Sequence, residues 1–151
     1  MDLTGGGLTA DAVRRYIGEK RAAEDAKRAS EAAAQKTERD KLHAEFMARE
    51  IKPEAMDRVA SMIRRAIDMG DREALLGRFP SSWLKDRGRS IANADPRWPD
   101  SLDGVARRAF EFYEKELKPR GFQMRAEILE WPGGMPGDVG LFLQWKHPDE
   151  I

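Results

Sequence analysis

Between Ile17 and Leu42 the chain carries no apolar residue larger than alanine, and from Glu19 to Lys52 it has neither glycine nor proline. Ala, Glu, Lys, Arg and Gln dominate this stretch, and these side chains lose least on entering a helix. One long helix is therefore predicted up to Lys52. A helix so poor in large apolar side chains cannot bury a wide stripe against its own domain. It adds length without adding core, which leaves the rest of the chain to supply the hydrophobic interior.

The two ends of this segment differ from its middle. Thr9 precedes Ala10-Asp11-Ala12-Val13 and is placed to cap the helix, with Asp11 in the first turn favoured by the helix dipole. Gly18 is the weak point, costing about 1 kcal/mol relative to alanine. Val13, Tyr16 and Ile17 form an apolar cluster at one end, and Leu42, Phe46, Met47 and Ile51 form another at the far end. Pairs such as Glu24 with Arg28 and Glu45 with Arg49 stand in the favourable order, each adding about 0.2 to 0.5 kcal/mol. Ala22, Ala26, Ala29 and Ala33 follow a 4,3,4 spacing, a narrow seam along which a partner helix can approach closely. Three readings compete: a solvated helix, an arm that pairs with a helix of a second copy or another protein, and a helix folded back on the C-terminal block. On the second, Val13, Tyr16, Ile17, Leu42, Phe46 and Met47 are the partner-binding candidates. Leu42, Phe46, Met47 and Ile51 are also expected to join the arm to the head.

Residues 53–151 are a different kind of polypeptide. All four tryptophans and seven of the eight prolines lie beyond residue 70. Pro53 suits the first turn of a new helix, and Met56, Val59, Ala60, Ile63, Ala66 and Ile67 recur at helical spacing up to Gly70. Ala74 to Phe79 reads as a strand ending at Pro80, with one more helical turn as the rival. A short helix is expected from Ser81 or Ser82 to about Ala92, interrupted by Gly88. A longer one, capped by Asp100 or Ser101, is expected to run to Lys118 before Pro119-Arg120-Gly121. Phe122, Met124, Ala126 and Ile128 alternate with polar residues, and Val139 to Trp145 supplies a second such run. The Pro/Gly-rich stretch from Trp131 to Asp138 joins them as a hairpin. The fold class is α+β: a long helical arm over 1–52, then a compact domain over 53–151. Its three-stranded, mainly antiparallel sheet is covered by helices.

Composition excludes several classes of function. Lys and Arg total 27 and Asp and Glu total 27, so the chain is not a general polycation for nucleic acid. It has no cysteine, which removes disulfides, a thiolate nucleophile and Cys-based zinc sites, and suits a reducing compartment. His43 and His147 lie far apart, so no metal site is expected. No apolar run approaches a membrane span, and the opening Met1–Gly7 lacks the basic-then-apolar pattern of a secretory signal. A cytoplasmic location is expected.

No motif supports an enzyme or a cofactor. Ser82-Trp83-Leu84-Lys85 matches the Ser-x-x-Lys pattern of serine acyl enzymes, but its companion elements are missing and Ser81-Ser82 suits an ordinary helix start. Gly133-Gly134-Met135-Pro136-Gly137-Asp138 lies between two strands, whereas phosphate-binding glycine loops open onto a helix. Glu111 and Glu114 share the polar side of a helix. His43 reads as a helix-surface or contact residue and His147 as a solvated one.

Charge by region is more informative than the sum. Residues 78–125 hold 11 basic against 7 acidic residues, and residues 126–151 hold 1 against 5. Lys85, Arg87, Arg89 and Arg97 gather near Trp83 and Trp98, the mix that holds phosphates and stacks bases, and the nucleic-acid candidates are Lys85, Arg87, Arg89, Arg107 and Arg108. Pairing of the basic middle with the acidic end is the alternative use of these charges. The expected function is a non-enzymatic protein–protein interaction or structural subunit, with an accessory nucleic-acid-binding protein as the rival. Small phage and plasmid products share this layout, which is analogy alone.

Overall fold

The computed structural model describes residues 5–150. The expectation of no secretory signal rests partly on Met1–Thr4, which lie outside the described residues. The chain divides into two compact units, one ending at His43 and the other beginning at Ala44.

The first unit is a 3-10 turn at Gly5–Gly7 followed by most of α1, Ala10–Ala48. Thr9 Oγ1 accepts the Ala12 amide at 3.1 Å, the expected N-cap. Asp11 holds Arg14 at 2.8 Å and Lys36 holds Asp40 at 3.3 Å. Arg28 lies 3.8 Å from Asp25, one position from the Glu24 that spacing favours. Thr37 Oγ1 returns a hydrogen bond to the Ala33 carbonyl, as hydroxyl side chains do inside helices. All residues from Arg14 to Leu42 are exposed, so backbone propensity and local pairs sustain this stretch.

The second unit contains the last turn of α1, from Ala44, and the α+β body. After α1 come α2 at Ala55–Asp68, β1 at Glu73–Pro80, α3 at Arg89–Ala92, α4 at Gly104–Phe112, β2 at Gln123–Ile128 and β3 at Asp138–Gln144. The sheet has three antiparallel strands in the order β1-β3-β2. Its centre is thus the last strand in sequence. Val139 stands between Phe79 and Ile128, and Gln144 between Glu73 and Gln123. A bulge between Leu75 and Gly77 interrupts the β1 register.

One sheet face is the core. Phe79, Ile128, Val139 and Leu141 pack with Phe46, Leu84, Ile91, Leu102 and Ala106. Leu143 packs with Val59, Tyr113 and Leu117. α2 lies along β1, and α3 lies against β2.

Several local expectations fail for identifiable reasons. α2 begins at Ala55 after a turn at Pro53-Glu54, and its buried face is narrower than its pattern. Val59 and Ala66 are buried, whereas Ala60 and Ile67 are exposed. The helix expected from Ser81 to about Ala92 is broken, as Gly88 suggested, but more widely: a 3-10 turn at Ser81–Trp83 and α3 at Arg89–Ala92 stand apart, with the chain extended at Leu84. The Asp86 carboxylate takes the amides of Gly88 and Ser90 at 3.0 and 2.9 Å, a local alternative to helix. Gly88 sits at φ +82, and a Cβ there would stand 2.8 Å from the Ser81 Cβ. The next helix is capped by Asp103, because Asp100 and Ser101 are taken up by a 3-10 turn at Trp98–Ser101. α4 then continues as a π turn at Tyr113–Leu117 and a 3-10 turn at Lys118–Arg120. Tyr113 is buried and donates its hydroxyl to the Phe122 carbonyl at 3.1 Å.

Candidate functional site

The apolar cluster of the first unit is presented to solvent. Tyr16 is 45% and Ile17 49% exposed, and Leu8 is exposed nearby. Val13, three residues before Tyr16 and four before Ile17, shares their side of α1 and is half-buried. The Ala22, Ala26, Ala29 and Ala33 seam is exposed throughout. Leu42 is exposed as well.

Phe46 and Met47 are used differently. Phe46 is buried in the second unit, its ring centroid 5.0 Å from that of Phe79 and 4.9 Å from that of Trp83. Met47 is half-buried against the same cluster. The six candidates therefore separate into Val13, Tyr16, Ile17 and Leu42, which lie in the first unit, and two residues spent on the core of the second.

The basic cluster is also divided. Lys85 and Arg87 are exposed on the segment before α3, and Arg89 is exposed at its first residue. Arg87 has φ +57, a left-handed conformation forced by the tight turn around Asp86. Arg107 is paired with Glu111 at 3.2 Å and donates to the Pro99 carbonyl at 3.1 Å. Arg108 Nη1 donates to the carbonyls of Met47 and Arg49 at 2.8 and 2.9 Å. These belong to the C-terminal end of α1, where the helix leaves carbonyls without partners and favours a cation. Arg108 is thus a cap supplied by another helix, a role that nothing in its sequence neighbourhood announces.

The remaining motifs are structural in their contacts. Ser82 and Lys85 are exposed, and the extended backbone at Leu84 removes the helical turn that would bring them together. The glycine loop is pinned: the Gly137 amide donates to the Glu130 carbonyl at 2.9 Å, and its carbonyl accepts the Ser81 amide at 3.0 Å. Ser81 Oγ donates to the Pro136 carbonyl at 3.0 Å. Glu111 and Glu114 are exposed, and His147 lies 3.3 Å from Asp149 near the chain end.

Sequence reasoning missed the charged network on the outer face of the sheet. Arg125 Nε on β2 reaches over the central strand to Glu73 on β1 at 2.8 Å, with its guanidinium 4.1 Å from the centroid of the Phe142 ring. The hydrogen bond from Arg125, joined by one from Gln144, holds the Glu73 carboxyl below its ordinary range despite partial burial. Arg78 pairs with both Glu130 and Asp138 at 3.0 Å. The Asp138 amide donates to Glu130 and, together with Arg78, lowers its carboxyl. At Asp86, burial pushes the carboxyl up, but hydrogen bonds from Ser90 and Gly88 outweigh it and the net direction is down. The alternation of β2 and β3 does mark these residues as one face, but strand order, which spacing does not give, decides that Arg125 and Glu73 meet.

Among the described residues, no group of three His, Asp or Glu side chains is placed to hold a metal ion, and no helix is long and apolar enough to cross a membrane. No family model, curated protein or solved structure matches the chain.

Proposed function

We propose that the protein is a non-enzymatic interaction or structural subunit that engages partner subunits through the N-terminal part of α1. The observation that carries this reading is the exposure of Tyr16 and Ile17 on a helix whose following residues, to Leu42, are all exposed. Two large apolar side chains side by side in water gain by being covered, at about 25 cal/mol per Å² of apolar surface removed. The alanine seam supports a helix as the covering element, since small residues let two helices approach closely. The partner is a helix of a second copy or of another subunit, and the absence of cysteine suits assembly in the reducing cytoplasm.

The test is chemical cross-linking of the full chain in a cell lysate, compared with a Tyr16→Glu/Ile17→Glu variant. Cross-links from Lys20 and Lys27 to a second copy or to one recurring protein, lost in the variant, are the expected result. The same cross-links in both proteins, or none in either, would overturn the reading.

A further inference from the structure

The second unit contains an open cavity of about 500 Å³, within the size range of small-molecule sites. Val59, Met62, Ala109, Phe112 and Leu141 contribute its apolar lining. Its remaining wall is the connection between α1 and α2, where Arg49 and Lys52 line it together with Arg58 of α2. Glu50 is the acidic residue lining it. Arg49, Lys52 and Arg58 carry no side-chain ion pair among the described residues, whereas Arg78, which also lines the cavity, is committed to Glu130 and Asp138. An apolar interior with an excess of unpaired cations suits a ligand of the opposite kind at its head and the same kind along its body.

Gly77 supplies a second, independent observation. It sits at the β1 bulge opposite the buried Leu141 and lines the same cavity. A Cβ built on it meets nothing within 4 Å, although it is inside a strand whose neighbours Leu76 and Phe79 are packed in the core. Its φ lies outside the left-handed region, so backbone geometry does not demand glycine there. Gly77 is exposed, and a glycine in a strand marks a bulge or a close approach; at this bulge the missing side chain leaves room for a body to lie over the strand.

We infer that this cavity binds an amphipathic organic anion: an aliphatic body laid over Gly77 and Leu141, with one carboxylate or phosphate headgroup held by Arg49, Lys52 and Arg58. The inference is independent of the partner-binding reading of α1. Decanoate is the probe, titrated into the full chain by calorimetry and followed by amide chemical shifts. The expected result is binding at a single site, with shifts centred on Gly77 and Leu141. Lys52→Gln/Arg58→Gln, which alters exposed side chains, and the neutral analogue decanol are each expected to bind about tenfold more weakly. Gly77→Leu, shown by circular dichroism to be folded, is expected to abolish binding by filling the floor. Absence of decanoate binding below its micellar concentration, or shifts centred elsewhere, would overturn the inference. So would equal affinity for decanol, or unchanged affinity in the double variant, whether or not Gly77→Leu folds.

Discussion

Gly104 and Phe46 meet so closely that a Cβ on Gly104 would stand 2.8 Å from the Phe46 carbonyl oxygen and 2.9 Å from Cδ1 of its ring. Gly104 also has φ +55, which disfavours any L side chain. Both partners are fixed in the core: Phe46 lies between Phe79 and Trp83, and Gly104 opens the helix that supplies Ala106. Gly104→Ala should therefore destabilise the second unit by about 2 to 4 kcal/mol, through overpacking and backbone strain together. Urea denaturation checks this, and an unchanged midpoint would show that the contact relaxes freely.

Phe46 belongs to the last turn of α1 and yet is core to the second unit. Phe46→Ala should cost about 3 to 5 kcal/mol in the same assay. A chain beginning at Pro53 loses Met47 as well and should be still less stable, giving a broadened or absent thermal transition. A sharp, undiminished transition in the Pro53 chain would remove Phe46 from the account.

Arg108 caps the end of α1 through two carbonyls. Arg108→Met keeps the aliphatic stem and loses the donors, so stability should fall by about 1 to 2 kcal/mol. Amide exchange gives a more specific readout, since the Arg49 amide, bonded to the Glu45 carbonyl at 2.8 Å, closes this turn. Protection there should drop more than in β3. Equal loss throughout the unit would mean that Arg108 acts only through general stability.

The Glu73 carboxyl, held down by Arg125, links the sheet to pH. Because its folded pKa lies below the unfolded one, the group adds stability above the ordinary 4.5. That contribution is lost as pH falls through its folded value. Glu73→Gln should lower stability by about 1 kcal/mol at neutral pH. The difference from the unsubstituted protein should narrow as pH falls below 4.5. A constant difference across that range would exclude the ion pair as its source.

The elements that announced themselves in the sequence are those whose periodicity is not contested locally. The alanine-rich helix has Thr9 to start it, but it ends at Ala48, short of the expected Lys52, where Arg108 donates to the Met47 and Arg49 carbonyls. The alternation of β2 and β3 gave one core face and hence the hairpin. The misread segments are those where a side chain outcompetes the backbone pattern: Asp86 takes the Gly88 and Ser90 amides and the helix is confined to Arg89–Ala92, and Asp103 caps in place of Asp100. Of the candidate residues, exposure separates Tyr16 and Ile17 from Phe46, which a single sequence cannot do because all three are apolar residues on one helix. Arg108 and Arg125 were illegible for a different reason. Their partners, the Met47 and Arg49 carbonyls and Glu73, are fixed by tertiary contact alone.

The mass of the full chain in solution, measured by light scattering across a wide concentration range and paired with affinity recovery from a lysate, tests the partner-binding account most directly. The account predicts a mass above that of one chain, or a stoichiometric partner, with either lost in a folded Tyr16→Glu/Ile17→Glu variant. A monomer at every concentration with no partner recovered, or an assembly indifferent to those two substitutions, would contradict it.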